Sequence, residues 1–339
     1  MKNNAPKIGF DTKIYIREQI KKINENVKEN HDKLYIEFGG KLIQDKHSAR
    51  VLPGYAEDAK LEILKKICRK GEVIFVVSSK DILRNRVRGD FKTTYDKETI
   101  RTIQELKKRG LTVRHVVISM LNKKKPVSEK IIMLEKKLGK VGVRTYRFFS
   151  IKNYPKNNCV VGGLEINPFI NIDKKIISII SPGGGSGKFG VCLNQLYHEM
   201  KNEILPHYLK FETFPVHDLP IEHPLNLAYM AASADFYDIV MKDRRHGKAT
   251  SYNRDIENYE LLHCLAKKFP KQGIYLRKIS SATNMGINML SRGIVNDEVV
   301  QKEAAAEIAR RLVRYKFEVA EGKEDKKVLT RVRKILQML

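Results

Sequence analysis

A glycine-rich loop that ends in a lysine is the stretch of this 339-residue chain whose residue types could do chemistry. The loop comprises Pro182, Gly183, Gly184, Gly185, Ser186, Gly187 and Lys188. Glycines let backbone N–H groups approach a ligand without clashes from Cβ. A following helix N-terminus adds unpaired donors and about half a positive charge, and the lysine adds a full charge. The loop therefore predicts a site for phosphate or another anion.

Two elements must position this loop. The β-branched run Ile176–Ile180 predicts a buried strand before it. Five apolar residues at helical spacing predict a helix after it: Leu193, Leu196, Tyr197, Met200 and Ile204. The alternative is a glycine turn that only joins strand to helix and leaves Lys188 in solvent.

The loop departs from the Walker A pattern at two positions. Pro182 stands where the first glycine belongs, and Phe189 replaces the hydroxyl residue that binds Mg²⁺. ATP or another nucleotide is the predicted cofactor, and Mg²⁺, if used, must be held elsewhere. No zinc is expected, because Asn202 stands where an H-E-x-x-H motif at His198 needs its second histidine. The four cysteines (Cys68, Cys159, Cys192 and Cys264) also form no C-x-x-C pair.

A second glycine turn follows another predicted strand, Lys33–Phe38. Gly39, Gly40 and Lys41 make this turn, and Arg50 follows soon after. We expect it to form a second wall of an anionic pocket, with Lys41 or Arg50 as a phosphate clamp. A tight turn followed by a solvated loop is the alternative.

Three carboxylates could act on a metal or a proton. Glu212 lies among aromatic residues, as a general base or ligand could. Asp235 and Asp238 lie three apart on a predicted helix, Leu225–Met241, and could hold a divalent ion. The predicted catalytic residues are Lys188, Glu212 and Asp235, and solvent-facing carboxylates are the alternative.

A polar cluster opens a later predicted helix. Asn253 could be its N-cap or a ligand, and Arg254 could pair with phosphate.

The formal net charge of +26 favours anionic partners. A small anionic ligand is the first prediction. Nucleic acid, bound by Lys80–Arg88 and Lys123–Lys140, is a weaker one, and a lysine-rich genome is the alternative explanation. The helical part, including Asp297–Leu339, could form homo-oligomers through apolar side chains that one chain leaves uncovered. No signal peptide or membrane span is apparent, so a cytoplasmic protein is expected.

Alternating strands and helices predict an α/β fold with a layered, largely parallel sheet. Its strand–glycine loop–helix units are Rossmann-like or P-loop-like. The predicted α/β domain covers residues 1–222, and a helical subdomain covers residues 223–339.

Several motifs resemble a bacterial family, domain-of-unknown-function family 1846, some of whose members are described as ATP-dependent peptidases. The resembling stretches are Glu37–Leu42, Arg50–Gly54, Pro182–Lys188, Phe211–Pro215, His223–Tyr229 and Tyr252–Asp255. The resemblance implies an α/β region followed by a helical one, and a further α/β part in longer members. A site between the two α/β parts would need that further part or a partner.

The sequence thus predicts a phosphate- or nucleotide-binding enzyme of unknown reaction. The alternative is a nucleic-acid-binding or oligomeric interaction protein without catalysis.

Overall fold

A computed structural model describes residues 8–88, 92–152, 154–155, 163–242 and 250–339. Cys159 lies outside these ranges. The strands are β1 Lys33–Phe38, β2 Gly71–Ser78, β3 Val87–Arg88, β4 Thr93–Thr94, β5 His115–Leu121, β6 Arg144–Phe149, β7 Ile176–Ile180, β8 Pro206–Phe211, β9 Val240–Lys242, β10 Thr250–Tyr252 and β11 Gly286–Ile287.

The main sheet has seven strands in the order β11–β8–β1–β7–β2–β5–β6, and every pair is parallel. In register, Tyr35 of β1 pairs with Ile177 of β7 on one side and with Tyr208 of β8 on the other. The β7 strand is buried along its whole length. Such continuous apolar runs are typical of parallel strands covered on both faces.

The helices surround this sheet. They are α1 Thr12–Val27, α2 Lys46–Val51, α3 Ala59–Cys68, α4 Ser79–Leu83, α5 Tyr95–Lys108, α6 Glu129–Lys140, α7 Lys188–Lys201, α8 Pro224–Ala232, α9 Asn253–Lys268, α10 Ile274–Lys278, α11 Leu290–Gly293, α12 Asp297–Ala320 and α13 Lys326–Leu336. No helix in the described ranges is long and apolar enough to cross a bilayer. The predicted α/β fold with a largely parallel sheet and a helical C-terminal region is confirmed.

Two cores lie on opposite faces of the sheet. Leu61 of α3 and Leu106 of α5 belong to the first core, whereas Leu193 and Leu196 of α7 belong to the second. The connections that leave β1 and β2 therefore run over one face, and the connection that leaves β7 runs over the other. Strand β7 lies between β1 and β2. The connection after β7 therefore turns to one face of the sheet and those after its two neighbours turn to the other, so the connections separate at the carboxyl end of β7. Ligands bind at such points in open α/β sheets.

The C-terminal helices complete the first core. Val328, Val332 and Ile335 of α13 are buried within this chain, in the core that also holds Ile308 of α12. Part of the apolar surface that motivated an oligomer is therefore covered within the chain. Leu336 is only partly buried, and Val313 and Phe317 of α12 are exposed, so oligomerisation stays a prediction. Strand β11 also comes from this region and pairs with β8 at the sheet edge. The domain boundary at 222 stays a prediction.

Candidate functional site

The glycine loop follows β7 at the point where the connections separate. Gly185 has φ +71° and Gly187 has φ +85°, a backbone conformation that other residues rarely adopt. Ser119 Oγ, from the end of β5, donates a hydrogen bond of 2.5 Å to Ser186 O. The predicted strand–loop–helix is therefore present, and a hydrogen bond from β5, two strands away from β7, helps to fix the shape of the loop.

Two aromatic rings pack against the loop glycines. A Cβ on Gly183 would lie 2.8 Å from Tyr95 Oη, and one on Gly184 would lie 2.9 Å from Phe236 Cζ. Side chains at these positions would displace the rings, so glycine allows the rings to lie against the loop.

The loop ends at the N-terminus of α7. Gly187 occupies the N-cap position without a side-chain cap, so the first turn keeps donors available for an anion. The Ser186 hydroxyl is buried, with 3% of the residue exposed, and has no hydrogen-bond partner among the described residues. A buried hydroxyl without a hydrogen-bond partner destabilises the folded protein unless a ligand supplies that partner.

Lys188 folds back under the loop. Its Nζ donates to Ser181 Oγ at 2.9 Å, and this hydroxyl donates to Gly183 O at 2.6 Å. Only 6% of Lys188 is exposed. The pKa of Lys188 is lowered to about 8, mainly by burial; Glu37 partly opposes this shift and nearby Arg254 adds to it. The alternative of a solvated Lys188 is therefore wrong.

Phe189 packs in the second core, edge-on to Tyr208. The position that would carry the Mg²⁺-binding hydroxyl in a Walker A loop thus serves packing.

Arg254 and Asp238 lie beside the loop. Arg254 Nη2 contacts Asp238 Oδ2 at 2.7 Å, and Arg254 Cζ is 5.6 Å from the centroid of Phe236, the ring that covers Gly184. Burial raises the pKa of Asp238 to about 6, although Arg254 opposes the shift. Asp238 Oδ1 is buried without a hydrogen-bond partner in the described part of the chain.

Asn253 joins this group to the neighbouring hairpin. Its Oδ1 accepts from Ile239 N at 2.8 Å, and its own N–H donates to Ile239 O at 2.9 Å. The predicted N-cap role is wrong, because Tyr252 occupies the N-cap of α9.

Asp235 and Asp238 do not share a helix face. The predicted helix Leu225–Met241 is too long, since α8 ends at Ala232 and a 3₁₀ turn holds Ala234–Phe236. Asp235 Oδ1 instead accepts from Tyr315 Oη at 3.3 Å, and burial raises its pKa. Within the described ranges, no group of three or more His, Cys, Asp or Glu side chains is placed to hold a metal.

The second glycine turn opens towards the first core. Gly40 has φ +61°, and a Cβ there would lie 3.3 Å from Lys60 Nζ. This buried ammonium lies 3.1 Å from Asp45 Oδ2 and 2.5 Å from Glu212 Oε2, and Tyr15 donates to the other Glu212 oxygen. Burial alone lowers the pKa of Lys60, but Glu212 and Asp45 outweigh it and raise the pKa. Glu212 thus belongs to a buried ion cluster.

Arg50 makes a two-bond contact with Glu307 of α12. Arg50 Nε and Nη2 each lie 2.8 Å from one oxygen of this carboxylate, which His47 and Arg311 also contact. Lys41 is partly buried at the start of the connection that leads to this group.

The structure therefore divides the predicted site residues into two groups. The loop, Lys188, Arg254 and Asp238 lie in one neighbourhood, whereas Gly40, Glu212 and Arg50 take part in contacts of the first core. Sequence reasoning missed Ser181, Tyr95 and Phe236. The position of Ser181 at a strand end was a usable signal, but the two rings come from distant segments that no local pattern connects.

Comparison with known proteins gives a consistent result. The family model described as "Domain of unknown function DUF1846, N-terminal" matches residues 8–339. A UPF0371 protein of Clostridium tetani is 42% identical over 341 residues, which cover 98% of this chain and 66% of that protein. A UPF0371 protein of Fusobacterium nucleatum is 42% identical over 362 residues, covering 98% and 70%. One from Clostridioides difficile is 41% identical over 342 residues, covering 98% and 66%. The chain thus spans about two thirds of the length of these relatives.

Glu212→Gln should destabilise the protein by about 3 kcal/mol, because removing one partner leaves a buried charge poorly compensated. In a Lys60→Met background the same change should cost much less. Urea unfolding of the four proteins in this double-mutant cycle measures the coupling. Glu62→Gln, which removes an exposed pair with Lys65, is the matched control and should cost under about 0.5 kcal/mol. Additive effects would contradict the ion cluster.

Lys188→Met should stabilise the protein near neutral pH. The folded pKa of about 8 lies below the unfolded value near 10.5, so the buried ammonium costs about 3 kcal/mol below pH 8. Loss of the bond to Ser181 offsets about 1 kcal/mol of the gain. The advantage should shrink as pH rises from 8 to 10.5, since the folded lysine then loses its proton before the unfolded one does.

Urea unfolding of Lys188→Met and wild type at about pH 7 and about pH 9.5 tests this expectation. Lys201→Met, at the exposed C-terminal end of α7, is the matched control and should change little. A Lys188→Met protein that is less stable than wild type at both pH values would show that the ammonium is well compensated in the fold.

Proposed function

We propose that this chain, which belongs to the DUF1846 family, is a phosphate- or nucleotide-binding enzyme whose anion site is the loop Pro182–Lys188. Because the chain spans about two thirds of its relatives, the reaction of the whole protein belongs to the proposal as well.

One observation carries this proposal. A glycine loop at the N-terminus of a buried helix holds a buried hydroxyl without a partner at Ser186 and a buried ammonium at Lys188. Both groups cost the folded protein stability, and a phosphoryl group would satisfy both at once. Groups kept at such a cost are typical of functional sites.

We assign proton transfer to Asp238 rather than to Glu212 or Asp235. Both oxygens of Glu212 are engaged by Lys60 and Tyr15. Asp238 has a pKa raised to about 6, close to neutral pH, where a general acid or base works best. Lys188 would stabilise charge on a transferred phosphoryl group.

The residues present fit a phosphoryl group better than a metal. Loop amides and Lys188 can hold the phosphates of a nucleotide, whereas Phe189 lacks the hydroxyl that would bind Mg²⁺. Asp238, a carboxylate beside the loop, is paired with Arg254. If Mg²⁺ takes part, it would be held mainly by the phosphates and by water, as this ion often is.

ATP, ADP or inorganic phosphate should raise the melting temperature of the wild type, with or without Mg²⁺. A ligand at 100 times its Kd stabilises by about 2.7 kcal/mol. Lys188→Ala should abolish this increase, because the ligand loses its buried charge partner. The increase should also fall between about pH 7 and pH 9, as free Lys188 loses its proton.

Differential scanning fluorimetry makes this measurement, with Lys201→Ala as the control that keeps the increase. An unchanged ligand effect in Lys188→Ala would place the anion elsewhere.

Nucleic-acid binding is a second candidate, favoured by the arrangement of two basic segments. Lys80 and Arg84 are exposed on or beside α4, and Lys123–Lys125 are exposed after β5, so both segments lie at the carboxyl edge of the sheet. Lys130 Nζ donates to Asn85 Oδ1 at 3.0 Å and so holds α6 against the segment that follows α4. Backbone phosphates could span this surface.

If so, affinity for single-stranded RNA or DNA should fall steeply with salt, by about 0.7 decades per decade of salt for each phosphate contacted. Fluorescence anisotropy with a labelled oligonucleotide at several salt concentrations checks this. Affinity that is undetectable or independent of salt would remove this function.

A further inference from the structure

Arg86 lies at the rim of the glycine loop with its backbone held at both ends. Its N–H donates to Asp81 O at 2.9 Å, and its carbonyl accepts from Tyr95 N at 3.2 Å. It joins α4 to the short hairpin formed by β3 and β4. These two hydrogen bonds fix the backbone position from which the Arg86 side chain extends.

Two rings position the Arg86 guanidinium. Its Cζ lies 5.7 Å from the ring centroid of Tyr95 and 5.9 Å from that of Phe236. These are the rings that pack against Gly183 and Gly184. Stacking on aromatic faces orients a guanidinium without consuming its N–H donors. The rings therefore hold the Arg86 guanidinium beside the loop and leave N–H donors available for a ligand.

The carboxylates near Arg86 neutralise it only loosely. Asp81 Oδ1 is 3.4 Å from Nη1, and Asp235 Oδ2 is 3.8 Å from Nη2. Charge-assisted hydrogen bonds are about 2.7–2.9 Å long. The side chain is also 38% exposed, so a ligand can reach it. Arg254, by contrast, has a close partner in Asp238 at 2.7 Å.

Lys188 and Arg86 approach the loop from different sides. Lys188 is buried and bonded to Ser181 at the end of the strand before the loop, whereas Arg86 is partly exposed and contacts the two rings that pack against Gly183 and Gly184. A single phosphoryl group on the α7 N-terminus would use the loop amides and Lys188. The planar guanidinium of Arg86 then remains for a second anionic group, to which it can donate two parallel hydrogen bonds.

We propose that the site takes a ligand with two linked phosphoryl groups, one on the glycine loop and Lys188 and the other on Arg86. This inference rests on the proposed function and narrows its substrate class to pyrophosphate compounds such as nucleoside diphosphates. Arg86 is the specificity-determining residue for the second phosphoryl group.

Isothermal titration calorimetry with inorganic phosphate, pyrophosphate and ADP tests the proposal on wild type and Arg86→Gln. Wild type should bind pyrophosphate about tenfold more tightly than phosphate. Arg86→Gln should lose most of that preference while its Kd for phosphate stays within about twofold of wild type. Arg84→Gln, two residues away and exposed, is the matched control and should keep the preference. Unchanged melting temperatures verify that both variants fold.

The results distinguish failure of this inference from failure of the proposed function on which it rests. Phosphate bound as tightly as pyrophosphate by wild type, or equal losses for both ligands in Arg86→Gln, would overturn the two-position site but keep the anion loop. No binding of any of the three by wild type would overturn both. Tighter binding of ADP than of pyrophosphate would support the inference and identify the ligand as a nucleotide.

Discussion

The cost of burying an ammonium group governs the carboxyl edge of this sheet. Lys60 is buried there with Asp45 on one side and Glu212 on the other. These carboxylates come from the connections after β1 and β8, and Lys60 itself lies on α3. A lysine in this position is stable only when such partners surround it. The ion cluster therefore ties two neighbouring strand ends to a helix over the first face of the sheet.

Lys188 occupies a comparable depth but lacks that compensation. Within the described ranges no carboxylate lies at ion-pair distance from its Nζ, and its pKa shifts in the opposite direction from that of Lys60. Among the described residues, Lys60 is thus paired with two carboxylates, whereas Lys188 has a hydroxyl partner but no carboxylate at ion-pair distance. Satisfied buried charges stabilise an architecture, whereas an unsatisfied one beside open backbone donors suits a ligand that arrives with negative charge.

Local patterns predicted the strands and helices that build the sheet well. The β1 strand matches its predicted bounds, and the β7–loop–α7 unit is where the apolar runs and glycines place it. Errors arose where long-range packing decides. The predicted helix Leu225–Met241 is too long, since α8 ends at Ala232 and the ring of Phe236 packs on Gly184. In the same way, no local pattern connects Glu212 with its partner Lys60, which is remote in sequence. Side chains that meet from different connections leave no periodic signal.

The short strand β11 has a consequence for how the chain is made. Gly286 lies so close to β8 that a Cβ there would be 2.2 Å from Lys210 O, so this position of the edge strand requires glycine. During synthesis the outer edge of β8 stays unpaired until the chain has been extended through Ile287. An open edge is a template for pairing with other chains. A fragment ended after β8 would therefore be prone to aggregate on the ribosome or in an expression host, even with its glycine loop intact.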